Sequence, residues 1–362
     1  MTDESYIKIA IELAKKGKGN VSPGPLSGFL FVKRGKIIGA GFNSGEANCF
    51  AELNILQRTK EQLKGSTLYS NLESNPGSDN LQAYIKQLVS NEIARVVFGT
   101  LNPDPCVNGK VIQELMMAGI ETRVGILESE CAELNKIYFK FVSEKKPFIT
   151  LKIAMTLDGK IADPSGNSKW ITCLDSRCFV HELRSNNDAV LVGRNTVEND
   201  NPELNVRLVE GRDPKRIILD SKLKLNLQSK IFQMENKNTI LITSSEFYKS
   251  KKKKVEKMLE MGVTVISIPL NSLGEIGIKR LINKLAALNI SSILVEGGSK
   301  IFSSFIKAKM FDELLVFISP RLLGTGLPAI EQIGLNTMQS SMKLKYKNVQ
   351  QIGEDVLLTL HR

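Results

Sequence analysis

The spacing of apolar residues switches between helical and strand-like several times along the first part of the chain. The segment SYIKIAIELAKKGKG has apolar residues at helical spacing, whereas GFLFVKRGKIIGAGFN predicts two strands joined by a turn at Arg34-Gly35. Three helices are then predicted at AELNILQRTKEQLK, QAYIKQLVSN and GKVIQELMMAG. Each is followed by a predicted strand, at STLYSNLE, ARVVFGT and ETRVGI respectively. Strands that alternate with helices of this length indicate an α/β layer fold.

The pattern restarts after a helix predicted over ECAELNKIYFKFVSEKKP, which ends at Pro147. The segment FITLKIAMTLDGKIA predicts a strand followed by an Asp-Gly turn. Further strands are predicted at DAVLVG, RIILD, TILITS, VTVISI, SSILVEGG and ELLVFISP. We therefore expect two α/β domains, comprising residues 1–146 and 147–362.

The composition is that of an ordinary globular protein. Of the 362 residues, 42% are apolar and 24% are charged. Single cores stop growing near roughly 250–300 residues, so this length favours two domains. No stretch approaches the roughly 20 apolar residues that cross a bilayer, and the acidic residues near the start are unlike a signal peptide. A cytoplasmic protein without a membrane segment is expected.

The net charge of +11 leaves nucleic-acid binding open as a function. The densest basic run, KSKKKKVEKM at 249–258, follows a predicted strand, where a helix with a solvated face is expected. Aromatic residues make up only 6% of the chain and form no evident platform for stacking bases. We therefore favour an anionic small-molecule substrate over nucleic acid.

Cysteine and histidine are too sparse for a standard structural zinc site. The five cysteines are an odd number without a C-x-x-C pair, and the two histidines are His181 and His361. Without a secretion signal, reduced thiols are expected in place of a disulfide framework.

The segment SSILVEGGSKIFSSFIKAK predicts a strand, a Gly-Gly turn and a helix. Such a turn leaves backbone N–H groups at the positive end of the helix, where a phosphate group can bind. Glu296 comes directly before the two glycines. Its carboxylate either belongs to a polar site or caps the following helix.

Polar residues gather in two further segments. The segment SKWIT holds the single tryptophan, Trp170, beside Ser168 and Lys169, and Trp170 belongs either to a site or to the core. The segment GRNTVENDNPELNVR follows a predicted strand and is expected to be a loop, as small-molecule sites often are. It is bracketed by Arg194 and Arg207, whose planar guanidinium groups suit phosphate.

The first part of the chain resembles the pyrimidine deaminase half of the bifunctional RibD family of riboflavin biosynthesis. The resemblance rests on GNVSPGPLSGFLFV, KIIGAGFN, FAE, STLYSNLESN and ARVVFGTLNPDPCVNGK. It implies a cytidine-deaminase-like three-layer domain, and zinc deaminases hold their metal with His and Cys beside a proton-shuttling Glu. Here the three ligand positions are Phe50, Asn75 and Tyr84, whereas Glu52 is kept. We therefore expect no zinc and no deaminase activity.

The second part resembles the reductase half of the same family, through LKIAMTLDGKIA, SGNSKWIT, VGRNTVENDNPELNVR, RIILDSKL, VEGG and ISPRLLG. The resemblance implies a dihydrofolate-reductase-like domain that uses NADPH to reduce 5-amino-6-(5-phosphoribosylamino)uracil to the ribitylamino compound. It implies catalytic roles for Lys152 and Glu296. The contacts it implies are with NADPH for Ala154, Trp170, Thr196, Asp200, Ser221, Gly297, Gly298 and Ser299, and with substrate for Ser168, Arg184, Leu204 and Arg207. The family's Thr after Leu204 is Asn205 in this sequence.

Three hypotheses follow for the function. The first is a reductase of a phosphorylated pyrimidine with an inactive deaminase-like domain. The second is a bifunctional enzyme that also deaminates the diaminopyrimidine precursor. The third is a non-catalytic protein that binds pyrimidine or RNA through its basic surface, with strongly salt-dependent affinity. The resemblance also implies a homodimer, and we expect neither nucleic-acid nor membrane partners.

Overall fold

Helices and strands form two compact units, Met1–Lys146 and Pro147–Arg362. The computed structural model describes residues 1–45, 51–58, 60–77, 80–233 and 238–362.

The described part of the first unit contains a mixed sheet in the strand order β2-β1-β3-β4-β5. Strand β1 pairs antiparallel with β2 and β3, and β3, β4 and β5 are parallel. The strands are β1 (Gly28–Lys33), β2 (Lys36–Phe42), β3 (Thr67–Leu72), β4 (Arg95–Thr100) and β5 (Glu121–Val124). The helices are α1 (Asp3–Lys15), α2 (Ala51–Arg58), α3 (Lys60–Leu63), α4 (Leu81–Ser90), α5 (Lys110–Met117), α6 (Glu128–Leu134) and α7 (Lys136–Glu144).

Both faces of this sheet are buried, as an α/β layer fold requires. Alternate residues of β1 belong to different apolar clusters: Phe29 and Phe31 to one, Leu30 and Val32 to the other. Because side chains alternate across a strand, these two clusters lie on opposite faces of the sheet. The predicted α/β arrangement of this part is therefore observed.

The second unit is built on a larger sheet in the order β11-β10-β9-β8-β12-β6-β13-β16-β15. Its strands are β6 (Phe148–Thr156), β7 (Lys160–Ala162), β8 (Ala189–Gly193), β9 (Lys215–Leu219), β10 (Thr239–Ser244), β11 (Thr264–Ile268), β12 (Ser292–Val295), β13 (Glu313–Ser319), β14 (Leu327–Pro328), β15 (Lys345–Ile352) and β16 (Asp355–His361), of which β7 and β14 form a separate small sheet. The described helices are α8 (Leu174–Asn186), α9 (Arg194–Asp200), α10 (Ser245–Ser250), α11 (Lys252–Glu260), α12 (Ile278–Ala286) and α13 (Ser299–Lys307).

The first seven strands in this sheet order, which begins at β11 and reaches β13, are parallel to one another. Strand β16 pairs antiparallel with β13, and β15 pairs antiparallel with β16. Strand β8 is buried along its whole length, with Leu191 in one cluster and Val190 and Val192 in another. Parallel strands end at the same edge of a sheet, and ligands of such folds bind at that edge. The segments that follow β8, β9 and β12 therefore meet there.

Two predicted elements differ from the structure, and one hairpin of the structure was not predicted. The helix expected before Pro147 is broken into α6 and α7 at Asn135, whose backbone is not helical and whose side-chain amide bonds the backbone of Leu26. The segment expected to be a loop after β8 begins with α9, which is capped at Gly193. The hairpin formed by β15 and β16 was not predicted, and β15 is largely exposed, so its sequence lacks a buried strand's apolar pattern.

The basic run forms α11 and the end of α10, as predicted. Two of its lysines are not free in solvent, since Lys251 and Lys254 both donate to the backbone carbonyl of Leu223. These two lysines therefore stabilise the segment that follows β9 by binding its backbone. Over the described residues, the structure contains no helix with the length and apolar character needed to span a membrane.

We predict that Asp188 fixes the start of β8 against the start of β12. Its buried carboxylate accepts the N–H groups of Ser291 and Ser292 and the Ser291 hydroxyl. Asp188→Ala leaves these buried donors unpaired and should lower the free energy of unfolding by about 2–4 kcal/mol, measured by urea denaturation followed by circular dichroism. Asp188→Asn keeps one acceptor oxygen and should cost less than half as much; equal losses would contradict this role.

Candidate active site

A buried carboxylate lies between two cationic side chains at the edge of the second sheet where its parallel strands have their carboxyl ends. Glu296 follows β12, and its Oε1 and Oε2 accept from Arg184 Nε at 2.7 Å and Arg184 Nη2 at 3.0 Å. Lys152 Nζ, from β6, lies 3.4 Å from Glu296 Oε2. We call these three residues the Glu296 cluster; they come from β6, α8 and the end of β12, and the resemblance implied a site role for each.

The charges of the cluster keep Glu296 ionised. Burial of the carboxyl group, whose side chain is 7% exposed, would raise the pKa of Glu296. The positive charges and hydrogen bonds of Arg184 and Lys152 outweigh burial and lower the pKa to about 2. Burial lowers the pKa of Arg184, but Glu296 outweighs it and raises the pKa. Glu296 is thus an anion at any working pH and has no proton to give.

The alternative interpretation of Glu296 as a helix cap is wrong. Helix α13 is capped by the backbone of Gly298, and no side chain bonds to this cap. The Glu296 carboxylate is instead engaged by Arg184 in a bidentate pair.

The Gly-Gly turn leaves room at the start of α13. At Gly297 a Cβ would lie 3.1 Å from the Gly193 nitrogen, so β8 and β12 end in closely apposed glycines. At Gly298 a Cβ would have no atom within 4 Å, so this position faces open space. The hydroxyl of Ser299 donates to the carbonyl of Pro328. There is therefore open space beside the residue that precedes α13.

Ser168 and Asp200 are brought together as neighbours. Ser168 Oγ donates to Asp200 Oδ1 at 3.2 Å, and Lys169 Nζ donates to the Asp200 carbonyl at 3.3 Å. A polar cleft of about 310 Å³ lies here, lined by Ser165, Gly166, Asn167, Lys169, Asn199 and Asp200.

Trp170 is not a core residue, because it is 56% exposed. The Arg177 guanidinium lies 4.1 Å from the centre of its ring, and Arg321 donates to its carbonyl oxygen. One face of the indole is therefore covered by a cation, and much of the ring is open to a ligand.

The remaining predicted cofactor contacts lie at the same edge or on the strand that leads to it. Ser221 follows β9, and Thr196 lies in α9, which follows β8. Ala154 lies in β6, two residues beyond Lys152 and so on the same face of the strand.

Leu204 and Arg207 belong to the segment that follows α9. Leu204 has φ of 55° and a buried side chain in the apolar cluster around Val190, so any ligand contact must come from its backbone. Arg207 is exposed, and its Nη1 donates to Asn205 Oδ1 at 2.8 Å. Arg184 Nη1 donates to the Asn205 carbonyl at 3.1 Å, which links this segment to the Glu296 cluster.

The sequence analysis missed His181. It is 4% exposed, lies three residues before Arg184 on α8, and its Nδ1 accepts the backbone N–H of Arg207. The spacing of three residues places both side chains on one helix face, but nothing in the sequence showed which segment that face meets.

In the first unit, Glu52 is buried among neutral donors. Its carboxylate accepts from Ser74 Oγ at 2.8 Å and from the Tyr84 hydroxyl at 2.7 Å. Burial, at 3% exposure, raises the pKa of Glu52 to about 7 against the opposing effect of these hydrogen bonds, and the pKa of Tyr84 is raised well above its usual value. Tyr84 is one of the three positions where the resemblance expects a zinc ligand.

The other two positions where the resemblance expects zinc ligands are Asn75 and Phe50. Asn75 is exposed and its Oδ1 accepts the N–H of Gly77, closing a local turn. Phe50 lies outside the described residues. Among the residues that the structure does describe, no three His, Cys, Asp or Glu side chains are grouped to hold a metal ion. The absence of zinc stays a prediction.

Comparisons with known proteins identify the family. Residues 147–358 match the RibD C-terminal domain. The chain is 40% identical over 361 residues to the riboflavin biosynthesis protein RibD of Aquifex aeolicus, covering 99% of this chain and 98% of that protein. The chain belongs to the RibD family.

Solved structures agree along the whole chain. The Acinetobacter baumannii RibD structure superposes with a TM-score of 0.86 at 31% identity, over 99% of this chain and 98% of that one. A Thermotoga maritima diaminohydroxyphosphoribosylaminopyrimidine deaminase/5-amino-6-(5-phosphoribosylamino)uracil reductase gives 0.84 at 36% identity, with the same coverage. The resemblance to RibD and the α/β fold expected from it are confirmed.

We predict that Glu52 makes the stability of the first unit fall as pH rises. Because its pKa of about 7 lies above the ordinary value of 4.5, burial is tolerated while Glu52 is protonated and becomes costly as pH rises through 7. Between about pH 5 and pH 8 the wild type should lose roughly 1–3 kcal/mol relative to Glu52→Gln, which stays neutral. Denaturant unfolding of both proteins at each pH measures this difference.

The exposed Glu130 provides the matched control, because Glu130→Gln removes a carboxyl group without touching the buried site. It should show the same pH dependence as the wild type. A Glu52→Gln protein that also follows the wild type would refute the raised pKa.

Proposed function

We propose that this protein is an NADPH-dependent reductase of 5-amino-6-(5-phosphoribosylamino)uracil whose deaminase-like unit is catalytically silent. The observation that carries the reductase is the Glu296 cluster, a lysine held against a buried carboxylate at the ligand-binding edge of a parallel sheet. The name of the Thermotoga relative, with which 36% of residues are shared, supports the same substrate.

The residues at this edge fit NADPH. The open approach at Gly298 and the start of α13 suit a phosphate group, since helix N-termini attract anions. The exposed ring of Trp170 offers a flat apolar surface, and the cleft beside Asp200 offers polar partners. When bound, NADPH supplies the hydride of the reaction.

Lys152 is the residue we assign to proton donation. Conversion of a ribosylamino to a ribitylamino group requires a hydride at the sugar carbon bonded to nitrogen and a proton at the ring oxygen that leaves it. Glu296 is ionised and Arg184 is fixed in its bidentate pair, so within the cluster Lys152 is the remaining acid. Glu296 holds the Lys152 ammonium in place, and such positioned acids contribute roughly 10²–10⁴-fold to rate.

Substrate binding is assigned to the segment beside the cluster. The exposed guanidinium of Arg207 suits the substrate phosphate, and Asn205, the family's Thr position, orients it through Oδ1. Ser168 and the backbone of Leu204 provide further polar contacts. Arg184 supports the site indirectly and does not bind the phosphate, because its three nitrogens already bind Glu296 and the Asn205 carbonyl.

The environment of Glu52 supports a silent deaminase. Deamination needs a carboxylate free to move protons between a metal-bound water and the base. Here both oxygens of Glu52 accept from Ser74, and one also accepts from the Tyr84 hydroxyl. The hydroxyl of a buried tyrosine thus lies against the carboxylate that such a water would contact.

The decisive experiment offers the purified chain NADPH with either of two substrates, while metal content is measured on the same sample. We expect NADPH oxidation with the deaminated pyrimidine alone, in zinc-free protein. Ammonia release from the diaminopyrimidine precursor would refute the silent deaminase and establish the bifunctional enzyme. Failure to oxidise NADPH with the deaminated compound would refute the reductase.

Substitution of Lys152 tests its role as the acid. Lys152→Met keeps the length of the side chain and should lower kcat by about 100-fold or more. Glu296→Gln should lower kcat less, because Lys152 is still present but no longer held by a charge. NADPH binding, followed by fluorescence of the single tryptophan, should be nearly unchanged in both variants.

Lys307→Met, at the exposed end of α13, is the control for removing a lysine from this unit. It should retain wild-type kcat. A Lys152→Met enzyme with wild-type kcat would exclude Lys152 as the proton donor. A homodimer and a cytoplasmic location stay predictions from the sequence.

A further inference from the structure

We infer that His181 is a positioning residue that fixes the segment 204–207, so that Arg207 presents its guanidinium to the substrate phosphate. The inference rests on the proposed function for the identity of the substrate. The contact itself is a feature of the folded chain and can be tested without any substrate.

The contact joins α8 to the backbone of the arginine. His181 Nδ1 accepts the N–H of Arg207 at 3.1 Å, and His181 is almost fully buried. Only an unprotonated nitrogen can accept, so the imidazole carries its single proton on Nε2. Removing the acceptor leaves a backbone donor without its partner at the residue that binds phosphate.

The rest of the segment is anchored residue by residue. The side chain of Leu204 is buried, the carbonyl of Asn205 accepts from Arg184, and the N–H of Val206 donates to Asp213 Oδ1 at 2.7 Å. His181 supplies the last anchor, at Arg207 itself. Helix α8 therefore holds both the Glu296 cluster, through Arg184, and the phosphate arginine, through His181.

The side chain of Arg207 is oriented by one hydrogen bond and remains exposed to solvent. Its Nη1 donates to Asn205 Oδ1 at 2.8 Å, and the residue is exposed. With the backbone fixed by His181 and one nitrogen fixed by Asn205, the other guanidinium N–H groups are directed by the protein before substrate arrives. Such preorganisation lowers the entropic cost of binding.

The surrounding charges keep His181 in the required form. Burial is the largest effect that lowers its pKa, and the positive charges of Arg184, Arg207 and Lys152 lower it further, against the opposing charge of Glu296. The resulting pKa is about 4. His181 therefore stays neutral at working pH, and stability linked to it is lost only as pH falls from its ordinary pKa towards this value.

The first test is nitrogen NMR of the free protein. The chain has two histidines, so His361→Gln leaves His181 as the single imidazole signal. We expect an Nε2–H tautomer with a hydrogen-bonded, unprotonated Nδ1 that shows no titration around the ordinary histidine pKa. A proton on Nδ1, or ordinary titration near neutral pH, would overturn the inference whether or not the protein reduces the pyrimidine.

The second test compares two amide variants by steady-state kinetics. In His181→Asn an amide oxygen lies near the position of Nδ1, whereas in His181→Gln it lies near Nε2. We expect His181→Asn to retain most activity and His181→Gln to raise KM for the phosphorylated pyrimidine by about tenfold, with KM for NADPH unchanged. The difference between the variants should vanish with a substrate analogue that lacks the phosphate.

The outcomes separate the positioning role from a general structural role. Equal effects of His181→Asn and His181→Gln, or a difference between them that persists with the phosphate-free analogue, would overturn the inference. If the wild type does not reduce the pyrimidine, the proposed function fails, and the NMR result then decides the His181 contact by itself. The inference is supported if His181→Asn keeps both the wild-type KM and the hydrogen-exchange protection of the Arg207 amide, whereas His181→Gln loses both.

Discussion

The buried carboxylate of Glu296 is the constraint on which the rest of the candidate site depends. Its desolvation is costly unless cations balance it, so Arg184 and Lys152 must both reach it. Arg184 comes from α8 and Lys152 from β6, and both elements are therefore held in register at one edge of the sheet. The Nη1 of Arg184 then donates to the carbonyl of Asn205 and ties the segment 204–207 to the same anion.

The two buried glutamates of this protein show how neighbours decide the chemistry of one residue type. Glu296 lies between two cations, and its pKa is lowered to about 2. Glu52 lies among the hydroxyls of Ser74 and Tyr84, and burial raises its pKa to about 7. Hydrogen bonds from neutral donors only partly offset desolvation, whereas full charges outweigh it. Glu296 is therefore ionised and pairs with cations, whereas Glu52 is partly protonated near neutral pH and is buried among uncharged groups.

Much of the fold was predictable because a doubly covered parallel sheet has a strong sequence pattern. Continuous apolar runs such as DAVLVG and SSILVEGG became the central strands β8 and β12. The terminal hairpin of β15 and β16 escaped prediction, since an exposed edge strand needs no apolar run. Helix α9 escaped because its polar sequence, Arg194–Asp200, resembles a loop, and its Gly193 cap is a feature of the backbone.

The sequence by itself determined the alternating α/β order, the family and the residue types available for chemistry at the strand ends. It also determined that Phe50, Asn75 and Tyr84 occupy the three positions where the resemblance implies zinc ligands, because residue identity is read from the sequence without any geometry. The tertiary structure alone decided which residues meet. Arg184 and Glu296 are 112 residues apart, Arg207 and His181 are 26 apart, and no local pattern encodes these pairings. Both arise because the fold brings distant segments to one edge of the parallel sheet. There the buried charge of Glu296 needs the cation of Arg184, and the backbone N–H of Arg207 needs an acceptor, which His181 supplies.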